Sequence, residues 1–100
     1  MFEQKVFRDS EHDLEASYVE TIIFQPTHGR DPVCYVHAVF TDPEYREQGR
    51  ASRLVKQAVK HARERGCYKV FLVCRPELEE WYKKIGLEKA GIHMQELLIK

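Results

Sequence analysis

The chain has 100 residues, enough for one modest hydrophobic core, and residues 1–100 are expected to form a single domain. Lys plus Arg number 16 and Asp plus Glu number 16, so the formal charge is zero and no global field draws the protein to nucleic acid or an anionic bilayer. With 43% hydrophobic and 11% aromatic residues, the composition excludes disordered and collagen-like classes and calls for a packed fold.

Two strands are expected first, Phe2 to Phe7 and Ala16 to Phe24, separated by the polar stretch Arg8 to Asp13 and paired antiparallel. The second carries Tyr18, Val19, Thr21, Ile22, Ile23 and Phe24, a β-branched and aromatic set suited to a pleated, mostly buried surface. Gln25 to Pro32, with its prolines, glycine and Arg-Asp pair, reads as a loop. Val33 to Thr41 is apolar almost throughout, as befits a mid-sheet strand covered on both faces. From Ala51 the apolar residues recur at Leu54, Val55, Ala58, Val59 and Ala62, one face of an α-helix that Gly66 closes in a left-handed conformation. Tyr68 to Cys74 is a second buried strand, so strand, helix and strand form a βαβ unit with parallel strands. Pro76 opens a second helix, Glu77 to Ile85, acidic in its first turn and basic in its last, with Gly86 ending it. Short strands at Glu88 to Ala90 and Met94 to Ile99 complete an α/β fold with a mixed sheet.

The turn between the first βαβ strand and its helix reads Asp42-Pro43-Glu44-Tyr45-Arg46-Glu47-Gln48-Gly49-Arg50-Ala51-Ser52. A strand that turns at a glycine into a helix leaves unpaired N–H groups at the positive end of the helix dipole, where phosphate oxygens can accept them. Gly49 lets the backbone come close, and Arg46 and Arg50 add charge-assisted donors. A plain βα turn with surface arginines has the same letters. The loop has no Gly-x-Gly-x-x-Gly and no Gly-Lys-Ser/Thr, so neither a dinucleotide nor a nucleoside triphosphate is indicated.

Two elements in order resemble the GNAT superfamily of acyl-CoA-dependent N-acyltransferases. Its signature, Arg/Gln-x-x-Gly-x-Gly/Ala after a strand, is matched by Arg46-Glu47-Gln48-Gly49-Arg50-Ala51, with Pro43-Glu44-Tyr45 leading in. Its aromatic-Tyr-x-x-x-Gly-aliphatic segment is matched by Trp81-Tyr82-Lys83-Lys84-Ile85-Gly86-Leu87. The resemblance implies a GNAT-like fold and acetyl-CoA as cofactor, with its pyrophosphate on the loop from Arg46 through Glu47, Gln48, Gly49, Arg50 and Ala51 to Ser52. It implies that the pantetheine arm pairs with Val39, Phe40 and Thr41 like an added strand. Tyr82 matches the tyrosine that protonates the departing thiolate, or else walls the pocket. Trp81 reads as core packing, and Lys83 as a phosphate contact or a solvated lysine. Arg75 stands where many members have asparagine, and an arginine there suits a phosphate.

The resemblance implies as acceptor an amine on a small molecule or peptide, which must lose a proton before attack. His37 and Glu20 are the candidate bases, His37 being equally readable as a core histidine; His93 and Glu96 are weaker choices. Cys34, Cys67 and Cys74 are odd in number and widely spaced, a reduced, cytoplasmic pattern, with Cys34 and Cys74 read as buried packing. No close-paired Cys or His spacing suggests a metal, and neither a secretory signal nor a spanning apolar run is legible.

The stretch before Val33 holds only the paired strands, without the helices that usually wall the acceptor site in this superfamily. An apolar patch left open by that difference favours a homodimer. The functional expectation is direct transfer of acetyl to an amine in a ternary complex. The alternatives are a non-catalytic acyl-CoA-binding or protein-interaction module and a structural protein that binds no CoA.

Overall fold

The computed structural model describes residues 2–11, 14–25 and 31–99. Strands β1 (Phe2–Glu11) and β2 (Leu14–Phe24) pair antiparallel, and β2 pairs antiparallel with β3 (Val33–Thr41). β3 pairs on its other edge with β4 (Lys69–Phe71), which runs parallel to it in the register Val33↔Lys69, Cys34↔Val70, Tyr35↔Phe71. The sheet order is β1-β2-β3-β4, so the expected mixed α/β architecture and its βαβ unit both form.

The first two strands are longer than their apolar letters suggested. Arg8 to Glu11 stay in β1, where Arg8 meets Glu15 across the pair. An edge strand bordering water accommodates charged residues that a central strand would not. His12 and Asp13 of that polar stretch, and Pro26 to Arg30 of the following loop, lie outside the described residues.

Helix α1 (Arg50–Glu64) lies on one face of the sheet. Leu54, Val55 and Ala58 pack with Val19 and Val36, while Ala62 packs with Ile23 and Cys34. Strand alternation carries the same face across β1, placing Glu3, Phe7 and Asp9 toward the helix. Phe7 packs on the core, Glu3 pairs with His61 and Arg65, and Asp9 pairs with Arg50 and Arg53. Two carboxylates on the edge strand therefore clip the two ends of α1. Gly66, at φ 80°, closes the helix as expected.

Several expectations need correction. The strand read as Tyr68 to Cys74 is only Lys69–Phe71, because β3 turns aside after Tyr35 and leaves Leu72 to Cys74 without a neighbour to pair with. Cys74 is exposed as a result, in contrast to the fully buried Cys34. β3 is mid-sheet but covered on both faces only in its first half; Val33 and Cys34 are buried, whereas Phe40 is 40% exposed. The second helix begins as a 3₁₀ turn, Pro76–Leu78, before α2 (Glu79–Ile85), a common way to tighten a helix start. The strands expected at Glu88 to Ala90 and Met94 to Ile99 do not form: residues 87–99 hold no helix or strand, and Ile92, Met94 and Leu98 are each more than 80% exposed. Apolar alternation makes a strand only where a partner strand supplies the ladder, and the described part of β4 is three residues long.

Candidate functional site

After β3 the chain makes a 3₁₀ turn at Pro43–Tyr45, started by Asp42, whose side chain accepts from the Glu44 N–H at 3.0 Å. Arg46 is extended, and its Nε donates to the Thr41 carbonyl at 3.3 Å. Glu47 then adopts φ 64° and Gly49 φ 75°, two left-handed residues that swing the chain into α1. Positive φ at a glutamate is uncommon and costs strain that the surrounding loop must hold. A Cβ on Gly49 would meet only Arg53 Nη1, at 3.8 Å, so the glycine answers to its φ rather than to crowding within the chain.

The first helical hydrogen bond runs from the Arg53 N–H to the Gly49 carbonyl at 3.0 Å. Helix geometry leaves the N–H groups of Ala51 and Ser52 without a carbonyl one turn back. Gly49 brings no side chain to cap them, and the first turn carries no acidic residue. The helix dipole, the N–H groups of Ala51 and Ser52 and the arginines all favour an anion here.

β3 carries a bulge. Glu20 opposes Ala38 and Thr21 opposes Val36, so His37 is the extra residue between them. The extra residue lets Val36 and Val39, three apart, both pack on the α1 side of the sheet. It turns His37 toward Tyr35, with ring centroids 6.0 Å apart, and toward Glu20, whose Oε2 lies 3.7 Å from Nδ1. The other ring nitrogen, Nε2, is buried with no hydrogen-bond partner among the described residues.

Beyond Tyr35 and Phe71 the parallel strands separate, and two adjoining clefts open there. The larger, about 570 Å³, is lined by Val39 to Thr41, by the turn between Tyr45 and Ser52, and by Leu78, Trp81 and Tyr82. The smaller, about 190 Å³, lies between His37 and Ala38 on β3 and the segment Leu72 to Arg75 that follows β4. Val39, Leu78 and Tyr82 line both. Tyr82 is 8% exposed, with Trp81 edge-on to its ring at 4.7 Å. Burial pushes its phenol above the ordinary tyrosine value, and the nearby Cys74 thiol adds to the rise. A neutral O–H donor is therefore held at the junction of the clefts, with an anion-favouring helix start along one wall.

Most residues singled out in the sequence converge here. Val39, Phe40, Thr41, Arg46, Glu47, Gly49, Arg50, Ala51 and Ser52 border the larger cleft, and His37 and Arg75 the smaller. Gln48 does not line either cleft; its Oε1 accepts from Arg50 Nε at 2.9 Å. Glu20 reaches the site through His37. Lys83 lies in ion pairs with Glu79 at 2.9 Å and Glu80 at 3.4 Å. His93 is exposed and bonds Gln95 at 2.8 Å. The sequence reading missed Asp9, whose carboxylate meets Arg50 and Arg53 from β1, and Tyr45, whose ring lies 5.1 Å below the Arg50 guanidinium. Strand period 2 counted forward from Phe7 would have put Asp9 on the helix side, though not opposite those arginines.

The chain is 42% identical over 62 residues to glucosamine 6-phosphate N-acetyltransferase 1 of Oryza sativa subsp. japonica, a match covering 62% of this chain and 38% of the rice protein. It is 32% identical to the glucosamine 6-phosphate N-acetyltransferase of Trypanosoma brucei brucei, over 66% of this chain and 46% of that one. The chain thus spans less than half the length of these relatives. In three dimensions it superposes on the crystal structure of glucosamine-6-phosphate N-acetyltransferase from Arabidopsis thaliana with a TM-score of 0.89 at 21% identity, covering 96% of this chain and 67% of that one. A Trypanosoma brucei acetyltransferase gives 0.84 at 26% identity, covering 97% and 69%. The sequence profile of the acetyltransferase (GNAT) family runs from residue 7 to residue 89, through both clefts and every element that walls them, and the chain belongs to that family.

Proposed function

We propose that the protein is an acetyl-CoA-dependent N-acetyltransferase whose cofactor lies in the larger cleft. The observation that carries this reading is the single cleft joining the helix start at Gly49 to the Tyr82 phenol. The fit is chemical as well as spatial: the first turn of α1 offers N–H donors and no acid, and Val39, Phe40, Leu78 and Trp81 supply apolar and aromatic wall, with Glu47 and Glu77 also bordering the cleft. Acetyl-CoA would supply the acetyl group as a thioester. The backbone of Gln48 to Ser52 would hold its pyrophosphate, Arg46 and Arg50 would add charge, and Val39 to Thr41 would pair with the pantetheine arm. Arg75, at the mouth of the smaller cleft, is placed to meet a phosphate.

The chain's own residues divide the proton work. His37, which borders the smaller cleft beside Glu20, takes the proton of the incoming ammonium. Tyr82 gives its Oη proton to the departing thiolate. The similarity to glucosamine 6-phosphate N-acetyltransferases supports an amino sugar phosphate as acceptor. The experiment is thiol release from acetyl-CoA with glucosamine 6-phosphate, beside a panel of other small amines and lysine peptides. Acceleration by the amino sugar phosphate alone is expected; acceleration by no amine would sink the catalytic reading.

A non-catalytic acyl-CoA-binding module is the second reading. It would show as CoA binding without amine-dependent thiol release. We also infer a homodimer, supported by the exposure of Phe2, Ile92, Met94 and Leu98, and a monomer in sedimentation at micromolar concentration would count against it. Free thiols at Cys34, Cys67 and Cys74 support a reducing, cytoplasmic setting. Among the described residues no helix is long and apolar enough to cross a membrane.

A further inference from the structure

Asp9 lies on the edge strand, 41 residues before Arg50 in sequence, and its Oδ2 accepts from Arg50 Nη1 at 3.1 Å and Arg53 Nη2 at 3.4 Å. The pair with Arg50 is well sheltered, with side chains 26% and 12% exposed. Both arginines also reach the same loop residue: Arg50 Nε donates to Gln48 Oε1 at 2.9 Å, and Arg53 Nη1 to the Gln48 carbonyl at 3.4 Å. Arg50 further stacks on Tyr45, at 5.1 Å. One carboxylate from another strand therefore ties together Tyr45, Gln48, Arg50 and Arg53, the residues that bracket the two left-handed positions at Glu47 and Gly49. The register of β1 shifts between Asp9 and Ser10, an irregularity of the kind that re-aims side chains.

We infer that Asp9 is a positioning residue that holds the turn before α1 in its anion-binding shape ahead of any ligand. This rests on the reading of that turn as the pyrophosphate site. A loop containing a strained glutamate and a left-handed glycine would otherwise sample other conformations, and a ligand would have to order it on arrival, with loss of affinity. Asp9 does not touch the ligand in this account. Its negative charge is neutralised by two guanidiniums, so its framing effect outweighs its repulsion of phosphate.

The test compares CoA with pantetheine, the same thiol arm without the pyrophosphate, by titration against the wild-type chain, Asp9→Asn and Asp9→Glu. Asp9→Asn is expected to weaken CoA about tenfold while leaving pantetheine within twofold, with Asp9→Glu recovering most of the loss. Equal weakening of both ligands would mean that Asp9 only supports the fold and would overturn the inference. Unchanged or tighter CoA binding by Asp9→Asn would overturn it too, since the carboxylate would then act by repulsion alone. A wild-type chain that binds pantetheine and CoA equally, or neither, would overturn the pyrophosphate reading itself. The thermal midpoint of each variant, read alongside, reports whether the fold is intact.

Discussion

His37 Nδ1 and Glu20 Oε2 stand 3.7 Å apart across the β2–β3 pair, and the contact exists because β3 carries one residue more than β2 at that point. A regular strand would carry the His37 ring and the Val36 side chain to opposite faces, but it would also turn Val39 away from α1. The bulge keeps Val36 and Val39 on the core side and frees His37 for the cleft. In the proposed reaction, His37→Gln should therefore lower kcat roughly 100-fold with little change in the KM for acetyl-CoA, as loss of a general base does. Glu20→Gln, which leaves the base in place but loosens its orientation, should cost about tenfold. Wild-type kcat in His37→Gln would rule the histidine out.

Tyr82 provides the complementary test. Burial first, and Cys74 second, hold its phenol above the usual value of 10.0, so the neutral form is the one present throughout the neutral and mildly alkaline range. An acid that keeps its proton gives no falling limb in kcat until the pH passes its raised pKa. Wild-type kcat should thus stay level on that account up to about pH 10, and Tyr82→Phe should reduce it on the order of 100-fold at every pH below that. Stopped-flow thiol release across that range decides it. A Tyr82→Phe enzyme with unaltered rate would leave the tyrosine as a pocket wall.

Gly49 tests the loop through its backbone. At φ 75° a side chain costs on the order of 1–2 kcal/mol, whatever the space around it. Gly49→Ala should lower the unfolding free energy by about that much, and Gly49→Val by more, because a β-branched residue is a poorer guest at positive φ. Affinity for CoA should fall further than stability does, since the added Cβ sits at the helix start proposed to receive the pyrophosphate. Calorimetric unfolding and CoA titration on the same samples separate the two effects; unchanged affinity would remove the loop from the binding site.

Much of this was legible in the letters, and the reasons differ from part to part. β3 and α1 could be placed because burial imposes a pattern on each: continuous apolar residues in one, a helical stripe in the other. The shape of the turn at Arg46 to Ser52 was legible because a glycine-led helix start needs only local chain. The bulge at His37 was not, because two registers of the same apolar run look alike until the neighbouring strand chooses between them. Asp9 was missed for a similar reason, its partners lying 41 and 44 residues away. The C-terminal strands failed in the opposite sense: Met94 to Ile99 has strand-like residues, yet the described sheet offers them no pairing.

The three thiols should separate by reactivity. Desolvation pushes the Cys34 thiol up to about 11, and burial also raises Cys67, whereas Cys74 is exposed at the cleft. Because the thiolate is the reacting species, a chromogenic disulfide reagent at pH 8 should modify Cys74 first, Cys67 slowly and Cys34 only on unfolding. CoA should protect Cys74, given its place beside Tyr82 in the smaller cleft. Peptide mapping of the first-modified residue checks the order, and early labelling of Cys34 would contradict its burial.

The clip at the far end of α1 should be visible in acid. Glu3 accepts from His61, and that bond, assisted by the Arg65 charge, holds its carboxyl below the ordinary value of 4.5 against a smaller opposing effect of burial. A carboxylate depressed in the folded state is ionised there while its unfolded counterpart is taking up protons. The unfolded chain then binds more protons, and stability rises with pH through that window. Glu3 therefore contributes fully above about pH 4.5, and its contribution is lost as the pH falls through the lower folded value. In Glu3→Gln the acid limb of a stability profile between pH 6 and pH 3 should be shallower than in the wild type, and the two curves should converge at the acidic end. Parallel curves, offset by the same amount at every pH, would show that Glu3 acts by packing and not by charge.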